Sequence, residues 1–317
     1  MYKNKPNYDL VLCIGAQHII ISLINLKYIT CNLTPKNIFI ITNKKHFNQY
    51  KNIDLKGINL FLIDENTLLN NCNLPKIRDY FHQKNKPSDR AAWYFQQFLK
   101  MQAHSIVQEK YYLIWDADTI PLKPIFFFDE VNRALIHYTP ENHTPYFETL
   151  KKVLNVKKQT QYSFISEHML IDKKIMQSLI SDIEKQNPNS FWPFSILKSI
   201  DEKDLTKSGF SEYETYGNYC LAKAPHLINK RTQSDQTLKN YRHGTQLFGK
   251  KPSTKDLFLL TQTDFHYVTF ETWETISQQA VNKNKRLAQL HYLISKLKFP
   301  KSIQSKISQI FVSKITY

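Results

Sequence analysis

Four stretches of the chain are near-continuous apolar runs: "YDLVLCIGA", "KNIFIITN", "INLFLIDEN" and "YYLIWDAD". Runs of this kind suit parallel strands buried on both faces. Between the first two, "HIIISLINLKYI" reads as a helix. Ahead of the fourth, "PSDRAAWYFQQFLKMQAHSIVQE" predicts a long helix opened by Pro87 and Ser88, with Phe95, Phe98, Leu99, Ala103 and Ile106 as its apolar stripe. The alternation predicts an α/β fold with a doubly wound sheet. Beyond Asp118 the pattern is mixed. "IFFFDE" and "RALIHYT" predict a hairpin, "SFISEHMLI" a strand, "DKKIMQSLISDIEKQ" a helix and "DFHYVTFETW" a late strand.

No internal repeat or low-complexity linker divides the chain. The expected organisation is one domain over 1–277 and a basic, helix-like tail over 278–317. The tail matters because the formal net charge of +16 is unevenly placed. After Glu274 there is no acidic residue, while Lys283, Lys285, Arg286, Lys296, Lys298, Lys301, Lys306 and Lys314 follow. Leu297, Phe299, Ile303, Ile307, Ile310 and Phe311 alternate with those lysines. Such a helix suits either an anionic membrane surface or docking on the domain itself.

Composition removes several classes. With 42 % hydrophobic residues the 317-residue chain can bury a large core. Only six glycines are present, and neither Gly-rich phosphate-loop motif occurs. Four scattered cysteines without C-x-x-C spacing read as reduced thiols in a cytoplasmic protein. The N-terminal apolar run mimics a signal peptide, but Asp9 precedes it and Gln17 and His18 interrupt it. The excess positive charge fits anionic partners. Nucleic acid is not expected, since no helix-turn-helix, zinc or RNA-binding signature accompanies the charge.

The chemistry concentrates in "YYLIWDADTIPLKP", residues 111–124. Asp116 and Asp118 end an apolar strand, where ligands of open α/β sheets bind. Residues two apart on a strand face the same way, so both carboxylates can face one cleft. Two carboxylates so placed repel unless a proton or cation intervenes. A hard divalent ion also gripped by a diphosphate meets that need. A haloacid-dehalogenase-type phosphohydrolase uses an aspartate pair too. Its motif wants Thr or Val where Ile120 stands, and its later acidic motif is missing.

The segment "YYLIWDADTIPLKP" resembles the D-x-D segment of glycosyltransferases of the GT-A fold. With "AAWYFQQFLK" before it and "FSEYETYGNY" after it, the sequence resembles the bacterial DUF6492 family, associated with surface polysaccharide synthesis. The resemblance spans about residues 8–250. It implies a GT-A-like mixed sheet flanked by helices, and Mn²⁺ or Mg²⁺ held by Asp116 and Asp118 against the diphosphate of a nucleotide sugar, a UDP-sugar in the expected case. Asp116 would also meet the donor ribose. The acceptor would be a glycan or lipid-linked glycan of lipopolysaccharide, lipooligosaccharide or capsule, reached from the inner face of the cytoplasmic membrane.

On that reading a carboxylate near the acceptor hydroxyl takes its proton. Glu212 and Glu214 are the candidates, and Glu214 also reads as the third residue of a capping box begun by Ser211, which favours Glu212. A late histidine, His243 ahead of His266, is the expected third metal ligand. Arg90, Gln97 and Lys100, from the helix before the aspartates, are candidates for the donor phosphates. Glu167 and His168 are candidates for the acceptor.

Overall fold

The computed structural model describes residues 5–231 and 238–296. Strand β1 (Tyr8–Cys13) is buried at every position and leads into helix α1 (Ile19–Asn32). The run that mimics a signal peptide is thus the central strand and first helix of the core. β2 (Asn37–Thr42) is likewise wholly buried, whereas β3 (Asn59–Asp64) is only partly so, as its edge position requires. Helices α2 (Glu65–Leu68), α3 (Leu74–Gln83) and α4 (Ala91–Gln102) follow, and β4 (Tyr111–Trp115) returns to the sheet. The long helix expected over 87–109 stops at Gln102 and continues only as a single 3₁₀ turn, Ala103–Ser105.

The main sheet has the order β3-β2-β1-β4-β7. Its first four strands are parallel, and β7 (His168–Asp172) runs antiparallel to β4. The chain winds from β1 outward to β3 and then crosses to β4 on the other side of β1. The doubly wound sheet is therefore present, and its topological switch point lies between β1 and β4. At such a point the adjoining loops diverge and leave a crevice beyond the strand ends.

β5 (Thr119–Pro121) leaves this sheet and joins a second one, β5-β10-β9, with β9 (Asn240–Tyr241) and β10 (Tyr267–Thr269). Around it a smaller core gathers Ile120, Leu122, Leu247, Phe248, Leu257, Leu260 and Val268. The hairpin expected from "IFFFDE" and "RALIHYT" forms only in brief, with the Leu135 N–H on the Phe127 carbonyl (2.9 Å) and the Asp129 N–H on the Arg133 carbonyl (3.0 Å). One isolated bridge joins Phe128 to Ala134, while β6 (Ala134–Ile136) pairs in parallel with β8 (Ile228–Lys230). The partner lies far along the chain, beyond the reach of a local pattern.

Helices α5 (Thr144–Leu154), α6 (Lys173–Gln186), α7 (Trp192–Ser199), α8 (Glu202–Leu205) and α9 (Glu212–Lys223) complete the larger core. α9 packs closely on Phe164 because Gly217 lacks a side chain; a Cβ there would sit 2.5 Å from that ring. Helix Gln278–Lys296 rests on the smaller core through Leu287 and Ala288. The tail from residue 297 onward lies outside the described residues, and its expected membrane contact with it. Among the described residues no helix is long and apolar enough to cross a membrane.

Candidate active site

Asp116 and Asp118 lie where β4 ends, in a turn held from several sides. The Asp116 N–H donates to the Glu167 carbonyl (3.0 Å) and the Thr119 N–H to the Asp116 carbonyl (3.1 Å). From the second sheet, the Phe270 N–H donates to the Asp118 carbonyl (2.9 Å). The turn is thus clamped between β7 and β10, which fixes both side chains at the switch-point crevice. His18, from the loop after β1, places Nε2 3.5 Å from an Asp118 oxygen.

The cleft gathers acid. Burial, reinforced by the negative charges of Asp116 and Glu271, pushes the Asp118 carboxyl well above the usual carboxylate range. Burial and Asp116 raise Glu271 as well. Like charges crowded in a poorly hydrated corner hold protons until a cation replaces them. The residues fit a hard divalent ion. Two carboxylates supply oxygen ligands and leave coordination positions for substrate phosphates, as Mg²⁺-type sites do. Among the described residues, three acidic side chains with ligand atoms all within 4.8 Å of one another lie elsewhere: Glu148 on α5, Asp201 at the start of α8 and Asp204 on α8. Lys152 already neutralises Asp201 there at 2.6 Å.

Beneath the pair lies a buried cation. Lys100, on α4 and 4 % exposed, places Nζ 2.7 Å from Asp116 Oδ1, 2.8 Å from Glu212 Oε1 and 3.3 Å from the Tyr213 hydroxyl. Burial alone would lower its pKa, yet Asp116 and Glu212 prevail and hold it well above the ordinary lysine value. Tyr213 also donates to Asp116 Oδ1 (3.2 Å). Gln97 accepts the Glu212 backbone N–H through Oε1 (3.0 Å), fixing the first residue of α9. Of the expected donor contacts, Lys100 and Gln97 therefore reach the aspartates or their neighbours. Arg90 does not: its guanidinium donates to Ser208 (3.1 Å) and lies over the Trp93 ring.

Glu214 has a packing role. Its Oε1 accepts from the Ser163 hydroxyl (2.5 Å) and the Phe164 N–H (3.1 Å). Ser211 caps the Glu214 N–H (3.2 Å), but the reciprocal half of a capping box is replaced by these contacts. His168 is buried among Trp115, Phe127 and Tyr267, and burial pushes its pKa well below the ordinary value. His243 pairs through Nδ1 with Glu274, and its backbone bridges Phe270, the residue bonded to Asp118. Gly244 beside it permits that approach; a Cβ there would lie 2.7 Å from the Thr269 carbonyl oxygen. His266 accepts the Lys239 N–H (3.1 Å) instead.

Glu167 occupies an unusual position. Its φ of 59° is left-handed, a conformation that costs about 1–2 kcal/mol outside glycine. Oε1 meets Arg242 at 2.7 Å, while Oε2 is buried without a hydrogen-bond partner. Arg242 also holds Glu141 (2.8 Å) and approaches Glu271 (4.0 Å). Burial pushes Glu167 up to about 7 against the opposing pull of Arg242. The folded protein thus keeps a proton that the unfolded chain releases in the ordinary carboxylate range. The stability from this group is present at acid pH and is lost as pH rises to about 7, on the order of 3 kcal/mol. Glu167→Gln, neutral throughout, should flatten this part of the unfolding free energy between about pH 4.5 and 7. A slope identical to that of the parent protein in chemical denaturation would contradict the assignment.

His18, Tyr213, Glu271 and Glu274 are the site residues that sequence reasoning missed. Tyr213 stands in "FSEYETYGNY", where only the glutamates were read as chemistry; His18, Glu271 and Glu274 lie far along the chain from the aspartates and in none of the three segments that carry the resemblance. Glu271 is brought near Asp118 by the β5–β10 pairing and the Phe270–Asp118 backbone bond, which a three-residue strand barely signals.

The chain is similar in fold to mouse xyloside xylosyltransferase 1, at 13 % identity and a TM-score of 0.39, over 85 % of this chain and 99 % of that one. It is similar to galactosyltransferase LgtC, solved with donor and acceptor sugar analogues, at 10 % and 0.42, over 89 % and 95 %. The bifunctional glycosyltransferase WbbM gives 13 % and 0.42, over 87 % of this chain and 47 % of that one. Among curated proteins none matches the sequence. The model of a family of unknown function matches residues 23–299, from α1 through the helix Gln278–Lys296 and beyond the stretch expected from the motifs. The chain belongs to that family, DUF6492.

Proposed function

We propose that the protein is a metal-dependent glycosyltransferase. It moves a sugar from a nucleotide-sugar donor, a UDP-sugar, to a hydroxyl of a lipopolysaccharide, lipooligosaccharide or capsule glycan. The observation that carries this reading is the pair Asp116 and Asp118, clamped at the switch point, with burial and neighbouring charge pressing Asp118 to stay protonated. Asp116 and Asp118 would hold Mn²⁺ or Mg²⁺, with His243 as the proposed third ligand. When bound, the ion supplies positive charge against the departing nucleoside diphosphate. The acceptor class follows from the resemblance in sequence.

Lys100 fixes Asp116 and Glu212 relative to each other, so the floor of the site is set before substrate arrives. Glu212, the base expected from the sequence, has a side chain only 5 % exposed and one oxygen held by Lys100. Glu271 is 22 % exposed, so an acceptor hydroxyl can reach it, and burial with the Asp116 charge raises its carboxyl above the ordinary value, which strengthens it as a proton acceptor. We therefore assign proton acceptance from the acceptor hydroxyl to Glu271, and to Glu212 the holding of Lys100. Thermal-shift measurements with UDP-sugars, with and without Mn²⁺, test the reading: a native-state ligand raises the melting temperature by mass action. A rise only when metal is present supports it, and no rise with any UDP-sugar rejects it. Glu271→Gln should keep the metal-dependent rise and slow transfer about 100-fold or more. Transfer at the parent rate would return the role to Glu212.

A further inference from the structure

Trp273 is 71 % exposed. Single exposed apolar residues are ordinary on protein surfaces, but this one belongs to a fixed segment. Phe270 donates to the Asp118 carbonyl (2.9 Å), and the Glu271 carbonyl accepts from the Thr245 hydroxyl (2.8 Å). Thr272 meets His18 Nε2 (3.4 Å), and Glu274 is 2 % exposed against His243 and Gln246. The ring itself is tethered, since Trp273 Nε1–H donates to Glu271 Oε2 (2.9 Å). The exposed indole is thus held one carboxylate away from the aspartate pair.

We infer that Trp273 is the stacking platform for the pyranose ring of the acceptor. The inference rests on the proposed glycosyl transfer and names the subsite. A pyranose offers an apolar face of C–H groups and a rim of hydroxyls. The indole face matches the first, and the Glu271 carboxylate with the nearby Arg242 guanidinium matches the second. An apolar wall with a few convergent polar groups is what small-ligand sites use to fix orientation. Fixing the indole in advance lowers the entropic cost of binding. A sugar seated there brings a hydroxyl toward Glu271, the group assigned to take its proton. The nucleoside half of the donor belongs over the carboxyl ends of β1 to β3, across the switch point.

The chain has four tryptophans, and Trp115 and Trp192 are fully buried, so 5-fluorotryptophan labelling gives a short ¹⁹F spectrum. Trp273→Phe identifies the Trp273 line. The probes are methyl β-galactoside, methyl β-glucoside and UDP with Mg²⁺. A methyl hexoside should shift the Trp273 line and leave the lines of Trp115 and Trp192 in place. In Trp273→Ala, the half-saturating glycoside concentration should rise roughly tenfold or more, with the UDP–Mg²⁺ thermal shift unchanged. A Trp273 line that no hexoside moves, or that only UDP–Mg²⁺ moves, overturns the inference; the second outcome gives the ring to the nucleobase. If hexosides move the line while UDP–Mg²⁺ neither binds nor stabilises, the subsite stands and the proposed function falls.

Discussion

Replacing Asp118 by asparagine should abolish metal-dependent transfer, by at least about 100-fold, while the metal-free protein melts at the same temperature or higher. The two halves of this result have one cause. Asp118 is buried beside Asp116 and Glu271, which together with burial keep its carboxyl well above the usual range. Its ionised form is therefore a strain on the folded state until a cation arrives. Asparagine keeps the shape and removes that charge. The clamp on the turn uses the Asp118 carbonyl, bonded to the Phe270 N–H, so the backbone contact survives the change. What disappears is a proposed oxygen ligand for the ion, and with it the rise in melting temperature expected of the parent protein with Mn²⁺ and a UDP-sugar. Differential scanning fluorimetry with and without Mn²⁺, beside a transfer assay, reads both halves. Full activity in Asp118→Asn would remove the metal from the mechanism. A melting temperature several degrees lower without metal would instead show that Asp118 is a structural residue.

The contrast with the rest of the site explains what a sequence can disclose. β1, β2 and β4 are legible because each is buried on both faces, and burial on both faces writes a continuous apolar run. The aspartate pair is legible for the same reason: it interrupts such a run at the point where a parallel strand must end. Lys100 stands in an amphipathic helix, and helical spacing gives its face but not its depth. Only the structure shows it buried between Asp116 and Glu212, with Glu212 112 residues further along the chain. Glu271 and His18 reach Asp118 through the pairing of β5 with β10 and through the loop after β1. Those contacts depend on short strands and loops, whose sequences carry no period. The separation of Glu212 from Glu214 was half legible. A serine three residues before Glu214 marks a helix start, but that the Glu214 carboxylate serves Ser163 and Phe164 follows from tertiary packing alone.

Lys100→Met should be the most destabilising single change at the site, costing about 3–5 kcal/mol. The methionine has nearly the right volume, so the penalty does not come from a cavity. It comes from the buried Glu212 carboxylate, with the partly exposed Asp116 beside it, left without their cation. Asp116 Oδ1 and Glu212 Oε1 both lie within 2.8 Å of Nζ, and the Glu212 side chain is 5 % exposed. A fall in melting temperature on the order of 5–10 °C is expected for a chain of this size. The buried Glu212 carboxylate can escape by taking up a proton, so the loss should be larger at pH 8 than at pH 5. The sign follows from Glu212: its folded pKa, already raised by burial, rises further once Lys100 no longer pulls it down. Neutralising Glu212 in the same molecule supplies the decisive comparison. In a double-mutant cycle, Lys100→Met with Glu212→Gln should be more stable than the sum of the two single changes allows, because the second substitution removes the charge that the first stranded. Strict additivity, or a Lys100→Met protein that melts within a degree of the parent, would mean that the ammonium does not hold these carboxylates in solution. The proposed floor of the donor site would then lose its fixed geometry.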